Sequence, residues 1–101
     1  MVNKMKHKPV VCILDNDKAR CLREEDALDR AIADKKMPVL GAANFGPAHL
    51  ERTGLTRFPA IDVDGVYFEF KNAGEELTYE ILCDFLDMLV RRGVIKTNPS
   101  E

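Results

Sequence analysis

Residues 58–68 read Phe58-Pro59-Ala60-Ile61-Asp62-Val63-Asp64-Gly65-Val66-Tyr67-Phe68. A proline opens a short apolar run, an Asp-Gly pair follows, and a second apolar run comes back. Asp-Gly suits the positive backbone angles of a two-residue hairpin turn. Val66, Phe68 and Phe70 alternate with Tyr67 and Glu69, so the return strand has two distinct faces. The stretch is therefore predicted to be a β-hairpin, the middle of a small sheet around which the other segments can be placed.

Toward the N-terminus, Val10-Val11-Cys12-Ile13-Leu14 is a continuous apolar run of strand length, as expected for a strand buried on both faces. Asp15-Asn16-Asp17 then supplies a polar loop and a helix N-cap. A helix is predicted from Lys18 to Lys35. Its apolar side carries Leu22, Leu28, Ala31 and Ile32, and its polar side Arg23, Glu24, Asp26, Arg30 and Asp34. Pro38 is expected to stop it, and residues 37–43 form a second strand. Strand-helix-strand favours a parallel pair.

Pro47 suits the first position of a short helix and Gly54 its C-terminal cap, with Leu50 and Leu55 as the buried residues. After the hairpin, Thr78 is a predicted N-cap, with Leu77 and Leu82 as its hydrophobic staple. Ile81, Leu82, Phe85, Leu86, Leu89 and Val90 make a broad apolar stripe, and Gly93 ends the helix. The resulting order is β-α-β-α-β-β-α: an α/β fold with a four-stranded mixed sheet flanked by helices. One domain is expected over residues 9–93, with flexible tails at 1–8 and 97–101.

The chain has 101 residues and a formal charge of -2, from 15 basic and 17 acidic side chains. That balance leaves no basic surplus for a nucleic-acid partner. No apolar run is long enough to span a membrane, and Val10 to Leu14 is too short for the core of a signal peptide. Three cysteines, an odd number, do not make a disulfide framework and fit a reducing compartment. A cytoplasmic location is the expectation. His7 and His49 have no arrangement of a zinc site or triad and read as surface residues. Asp15, Asp17, Asp62 and Asp64 complete no calcium-loop pattern, so no metal site is expected. Asp17 reads instead as a cap and Asp64 as a turn residue.

The order and spacing of these elements resemble the thioredoxin superfamily, with distances closer to glutaredoxins than to thioredoxin itself. In those families a proline, usually after a cis peptide bond, opens the third strand beside the active site. A glutaredoxin shows a Val-Pro-x-Val-Phe-Ile-Asp-Gly kind of run there, and Phe58 to Gly65 is similar in length and in its Pro and Asp-Gly positions. The resemblance spans about residues 9–92. It implies a thioredoxin-like fold, a cis Pro59, and a Cys-x-x-Cys pair at the start of the first helix.

At that point the sequence departs from the family. Lys18-Ala19-Arg20-Cys21 stands there, so Cys21 falls on the second cysteine position and Lys18 replaces the first. The glutathione-contacting Gly-Gly that often follows the hairpin is replaced by Phe68-Glu69-Phe70. The resemblance then implies a protein-binding module without dithiol exchange. Lys18, Arg20, Phe58 and Pro59 would meet another protein or an extended peptide, and no cofactor is implied. The alternative is a thiol-disulfide oxidoreductase with Cys21 as the catalytic thiol and glutathione or a partner thiol as co-reactant. On that reading Lys18, Arg20 and the helix N-terminus lower the Cys21 pKa. Otherwise Cys21 is a small buried side chain. Cys12 and Cys83 are read as core or half-buried residues, and a Cys12–Cys21 bridge is conceivable.

Overall fold

A computed structural model of the chain describes residues 8–96. Seven elements follow one another: β1 (Val10–Leu14), α1 (Lys18–Lys35), β2 (Leu40–Asn44), α2 (Pro47–Thr53), β3 (Ala60–Val63), β4 (Val66–Glu69) and α3 (Tyr79–Arg91). The strands form one mixed sheet in the order β2-β1-β3-β4. β1 pairs parallel with β2, Cys12 opposite Ala42, and antiparallel with β3, Cys12 opposite Asp62. β3 pairs antiparallel with β4 through the predicted hairpin. Asp64 at φ 50° and Gly65 at φ 92° put both turn residues in the left-handed region, as the Asp-Gly pair requires. The predicted lead-in over residues 1–7, His7 included, and the tail over 97–101 lie outside the described residues.

Alternation along the central strands divides the buried residues between the two faces of the sheet. Val11, Ile13, Ile61 and Val63 are buried in one cluster with Leu28 and Ala31 of α1 and Leu82, Phe85, Leu86 and Leu89 of α3. Each fully buried aliphatic side chain of this kind contributes about 1.5–3 kcal/mol. Phe68 meets Phe85 edge-on, with ring centroids 5.2 Å apart, so the hairpin is pinned to α3. Leu14 and Ala60 point to the opposite face. They are buried, as is Leu50 of α2, and none of the three belongs to the main cluster.

Gly41 of β2 lies close against α1. A Cβ there would lie 2.6 Å from Asp29 Oδ1 and 3.1 Å from Ile32 Cδ1, so only glycine fits without a shift.

Five readings of the sequence need correction. Leu22 is 46 % exposed, while Glu24, assigned above to the polar side of α1, is fully buried. The buried stripe runs through Cys21, Glu24, Ala27, Leu28 and Ala31 instead. α1 ends at Lys35 as expected, but its stop is Lys36 rather than Pro38: Lys36 turns left-handed (φ 53°) and donates its N–H to the Ala33 and Ile32 carbonyls. β2 starts at Leu40, with Met37 and Val39 buried ahead of it. Leu55 is only half-buried. Finally, Ile95, beyond the expected end of the domain at 93, is buried in the main cluster. Its N–H, like that of Val94, reaches the Leu89 carbonyl, so the chain folds back once Gly93 has ended α3.

Candidate functional site

Three segments converge where β1 gives way to α1: the turn 15–17, the peptide Phe58-Pro59 and the loop 72–75. The Phe58-Pro59 bond is cis. Pro59 itself is buried and Phe58 half-buried. Between the segments lies a shallow depression of about 600 Å³, lined by Asn16, Asp17, Arg20, Thr56, Phe58, Ala73 and Gly74.

Asp17 caps α1 as its position implied. Its carboxylate accepts the Arg20 backbone N–H at 3.0 Å, satisfying one of the free donors of the first turn. Asp15 is fully buried. Its carboxylate accepts two hydrogen bonds from the Arg20 guanidinium, Nε at 2.8 Å and Nη2 at 2.6 Å, and a third from the Asp17 N–H at 3.2 Å. Burial by itself raises the Asp15 pKa; the bonds from Arg20, Glu24 and the Asp17 N–H outweigh it, and the carboxyl titrates below its usual range. The same bond to Asp15 raises the Arg20 pKa further. The remaining guanidinium nitrogen, Nη1, donates to the Gly74 carbonyl at 2.7 Å. The Gly74 N–H in turn donates to the Phe58 carbonyl at 2.7 Å. A chain of hydrogen bonds thus runs from Asp15 through Arg20 and Gly74 to Phe58.

The sequence-predicted site residues take unequal places in this arrangement. Arg20 is brought to the depression, yet its nitrogens are committed to Asp15 and Gly74 rather than left for a ligand. Lys18 is exposed, with its ammonium 5.6 Å from the centre of the Phe45 ring. Phe58 contributes a main-chain edge: its carbonyl is taken by Gly74, and its N–H has no partner among the described residues. Pro59, next in the chain, is buried.

Cys21 is completely buried under the first turns of α1. Burial, followed by the nearby carboxylates of Asp15 and Glu24, pushes its thiol up to about 12. The expected lowering by Lys18, Arg20 and the helix N-terminus is therefore reversed. Lys18 points toward Phe45, and the Arg20 charge is matched by Asp15. Cys12 is half-buried and raised to about 11, by burial and then by Asp62 and Glu25. All three cysteines are free thiols, so no Cys12–Cys21 bridge forms. Among the described residues no group of three or more His, Cys, Asp or Glu is placed to hold a metal ion. Asp62 and Asp64 serve the hairpin, accepting the N–H groups of Gly65 and Val10. Among the described residues no helix is long and apolar enough to cross a membrane.

Sequence reasoning missed Glu24. It lies three residues after Cys21, where helical spacing puts it on the same side of α1. That side could be recognised as the inward one only by abandoning Leu22. Glu24 Oε2 accepts the Leu77 N–H at 2.9 Å. The other oxygen, Oε1, is buried and has no hydrogen-bond donor among the described residues.

No family model matches this chain, and no curated protein matches it either.

Proposed function

We propose that this chain is a thioredoxin-superfamily domain, glutaredoxin-like in its spacings, that binds another protein or an extended peptide and performs no dithiol exchange. The order β-α-β-α-β-β-α, the proline ahead of β3 and the Lys18–Cys21 segment at the head of α1 support the kinship. The observation that carries the functional reading is the pairing of an open depression with a sealed thiol. The depression beside Phe58 offers a main-chain N–H without a partner among the described residues, a carboxylate and small side chains, while Cys21 has no exposed surface. A thiolate is the nucleophile in disulfide exchange, and a thiol near 12 supplies almost none at neutral pH. A bound peptide would lie along residues 56–58, its main-chain carbonyl accepting the Phe58 N–H, with the exposed Lys18 available for an acidic side chain.

Two measurements test this. Peptides selected from a random displayed library should shift the amide resonances of Asn16, Thr56, Phe58 and Gly74. Shifts confined to another surface sink the binding reading. In a second assay, reduction of a glutathione mixed disulfide should proceed no faster with the protein than with its Cys21→Ser variant. Clear Cys21-dependent turnover would establish the single-cysteine oxidoreductase instead.

A further inference from the structure

Two carboxyl groups, Asp15 and Glu24, are both fully buried, and they are in contact with each other. They differ in what else holds them. Asp15 accepts three hydrogen bonds, two from the Arg20 guanidinium and one from the Asp17 N–H. Glu24 accepts one, from Leu77 at Oε2, and its second oxygen, Oε1, is buried with no donor among the described residues. Two ionised carboxylates have only acceptors to offer each other, and burying both beside one guanidinium leaves a negative charge unmatched. A proton on Glu24 Oε1 removes both problems: the contact becomes an O–H donating to the Asp15 carboxylate, and every buried oxygen then has a partner.

We propose that Asp15 and Glu24 share one proton and work as a proton-operated latch, which fastens the loop over residues 72–77 to the first turns of α1 when closed. Two of the ties that hold that loop pass through the pair. Glu24 holds the Leu77 N–H, and Arg20, positioned by Asp15, holds the Gly74 carbonyl. When the shared proton leaves, the two carboxylates repel, and the member with fewer donors moves toward water. That member is Glu24. Its bond from the Leu77 N–H favours the ionised form, but the repulsion from Asp15 and the cost of burial outweigh it, so the Leu77 tie is the one released. Arg57 holds the start of the loop independently, donating to the Lys71 carbonyl at 2.6 Å. The Gly74 N–H on the Phe58 carbonyl and the Arg23–Glu76 pair also stay in place, so release frees the Leu77 end of the loop without detaching the rest.

The surroundings of Glu24 set the range in which the latch works. Facing it are Asp15 from the end of β1, Arg20, Cys21 and Arg23 from α1, and the Leu77 N–H from the segment before α3. Glu76 lies beside them in an exposed pair with Arg23. Burial first, and the Asp15 side chain next, raise Glu24 from its ordinary 4.5 to about 8. The folded chain thus holds this proton more tightly than the unfolded chain. The stability it contributes is fully present below about 4.5 and is lost as pH rises through about 8. Cys21, at about 12, titrates outside this range. The latch does not depend on the peptide-binding reading, because it is detected at the Leu77 amide with no ligand present.

Amide hydrogen exchange of the whole chain between pH 6.5 and 9, corrected for the intrinsic exchange rate, tests the latch. In the wild type the Leu77 protection should fall about tenfold or more as Glu24 ionises. In Glu24→Gln it should stay within about twofold, since the amide donates to Asp15 and accepts from Leu77 at every pH. Equal profiles in the two proteins, or a flat wild-type profile, overturn the proposal. Should Glu24→Gln not fold, the Glu24 carboxyl carbon is titrated in the wild type. A midpoint near 8 that the Leu77 amide shift follows supports the latch, and any other result refutes it.

Discussion

The seam between α1 and α3 and the corner where β1 meets α1 are both buried, but they are held by different physics. The seam is apolar: Leu28 and Ala31 against Leu82, Phe85, Leu86 and Leu89. Its packing is non-directional, so any residue of the right size and hydrophobicity serves, and loss scales with the volume removed. The corner is polar: two carboxyl groups, one guanidinium and three main-chain groups in a directed network. Its members hold value only as a set, because each buried charge is tolerable only while its partners remain. A polar corner of this kind adds little stability compared with an apolar one of equal volume. It does fix where the turn 15–17 and the loop 72–75 sit, and those two segments shape the depression beside Phe58.

Five substitutions probe this contrast, read by urea unfolding. Leu86→Ala, in the seam, should cost the most, about 3–4 kcal/mol, as expected for a fully buried leucine whose cavity only partly collapses. Arg20→Leu should follow at about 3 kcal/mol, since Asp15 is left buried and uncompensated. Adding Asp15→Leu to Arg20→Leu should recover most of that loss, whereas no second truncation recovers Leu86→Ala. A double variant no more stable than Arg20→Leu alone would mean that the corner behaves like the seam. The smallest effect belongs to the caps. Asp17→Ala in the corner and Thr78→Ala at the head of α3 should each cost about 1 kcal/mol, because each removes one acceptor from one helical N–H. A large difference between them would show that Asp17 also supports the Asp15–Arg20 pair.

The contrast explains why some features were readable from the residues and others were not. The α3 stripe from Ile81 to Val90, its Thr78 cap and the Asp64-Gly65 turn follow from local periodicity and backbone preference, and the structure places them as read. α1 was located correctly, but its inward side was assigned through Leu22 rather than Glu24. Hydrophobicity alone cannot foresee a carboxyl group that goes inside because Asp15 and the Leu77 N–H meet it there. The candidate site was legible in place but not in chemistry. Lys18, Arg20, Cys21 and Phe58 do gather near one corner. Yet Arg20 is an internal tie, Pro59 is covered, and Cys21 lies below the surface.

The amino-acid sequence by itself determined the elements and their order, because hairpin turns, caps and apolar periodicity act over a few neighbouring residues. Only the tertiary structure decided which side of α1 faces inward, what Arg20 holds, and that Cys21 is a sealed thiol of raised pKa. Those outcomes depend on groups far apart in the chain: Asp15 with Glu24, Arg20 with Gly74, and Glu24 with Leu77. Burial sets the charge each of them carries, and burial belongs to the folded chain rather than to any one residue.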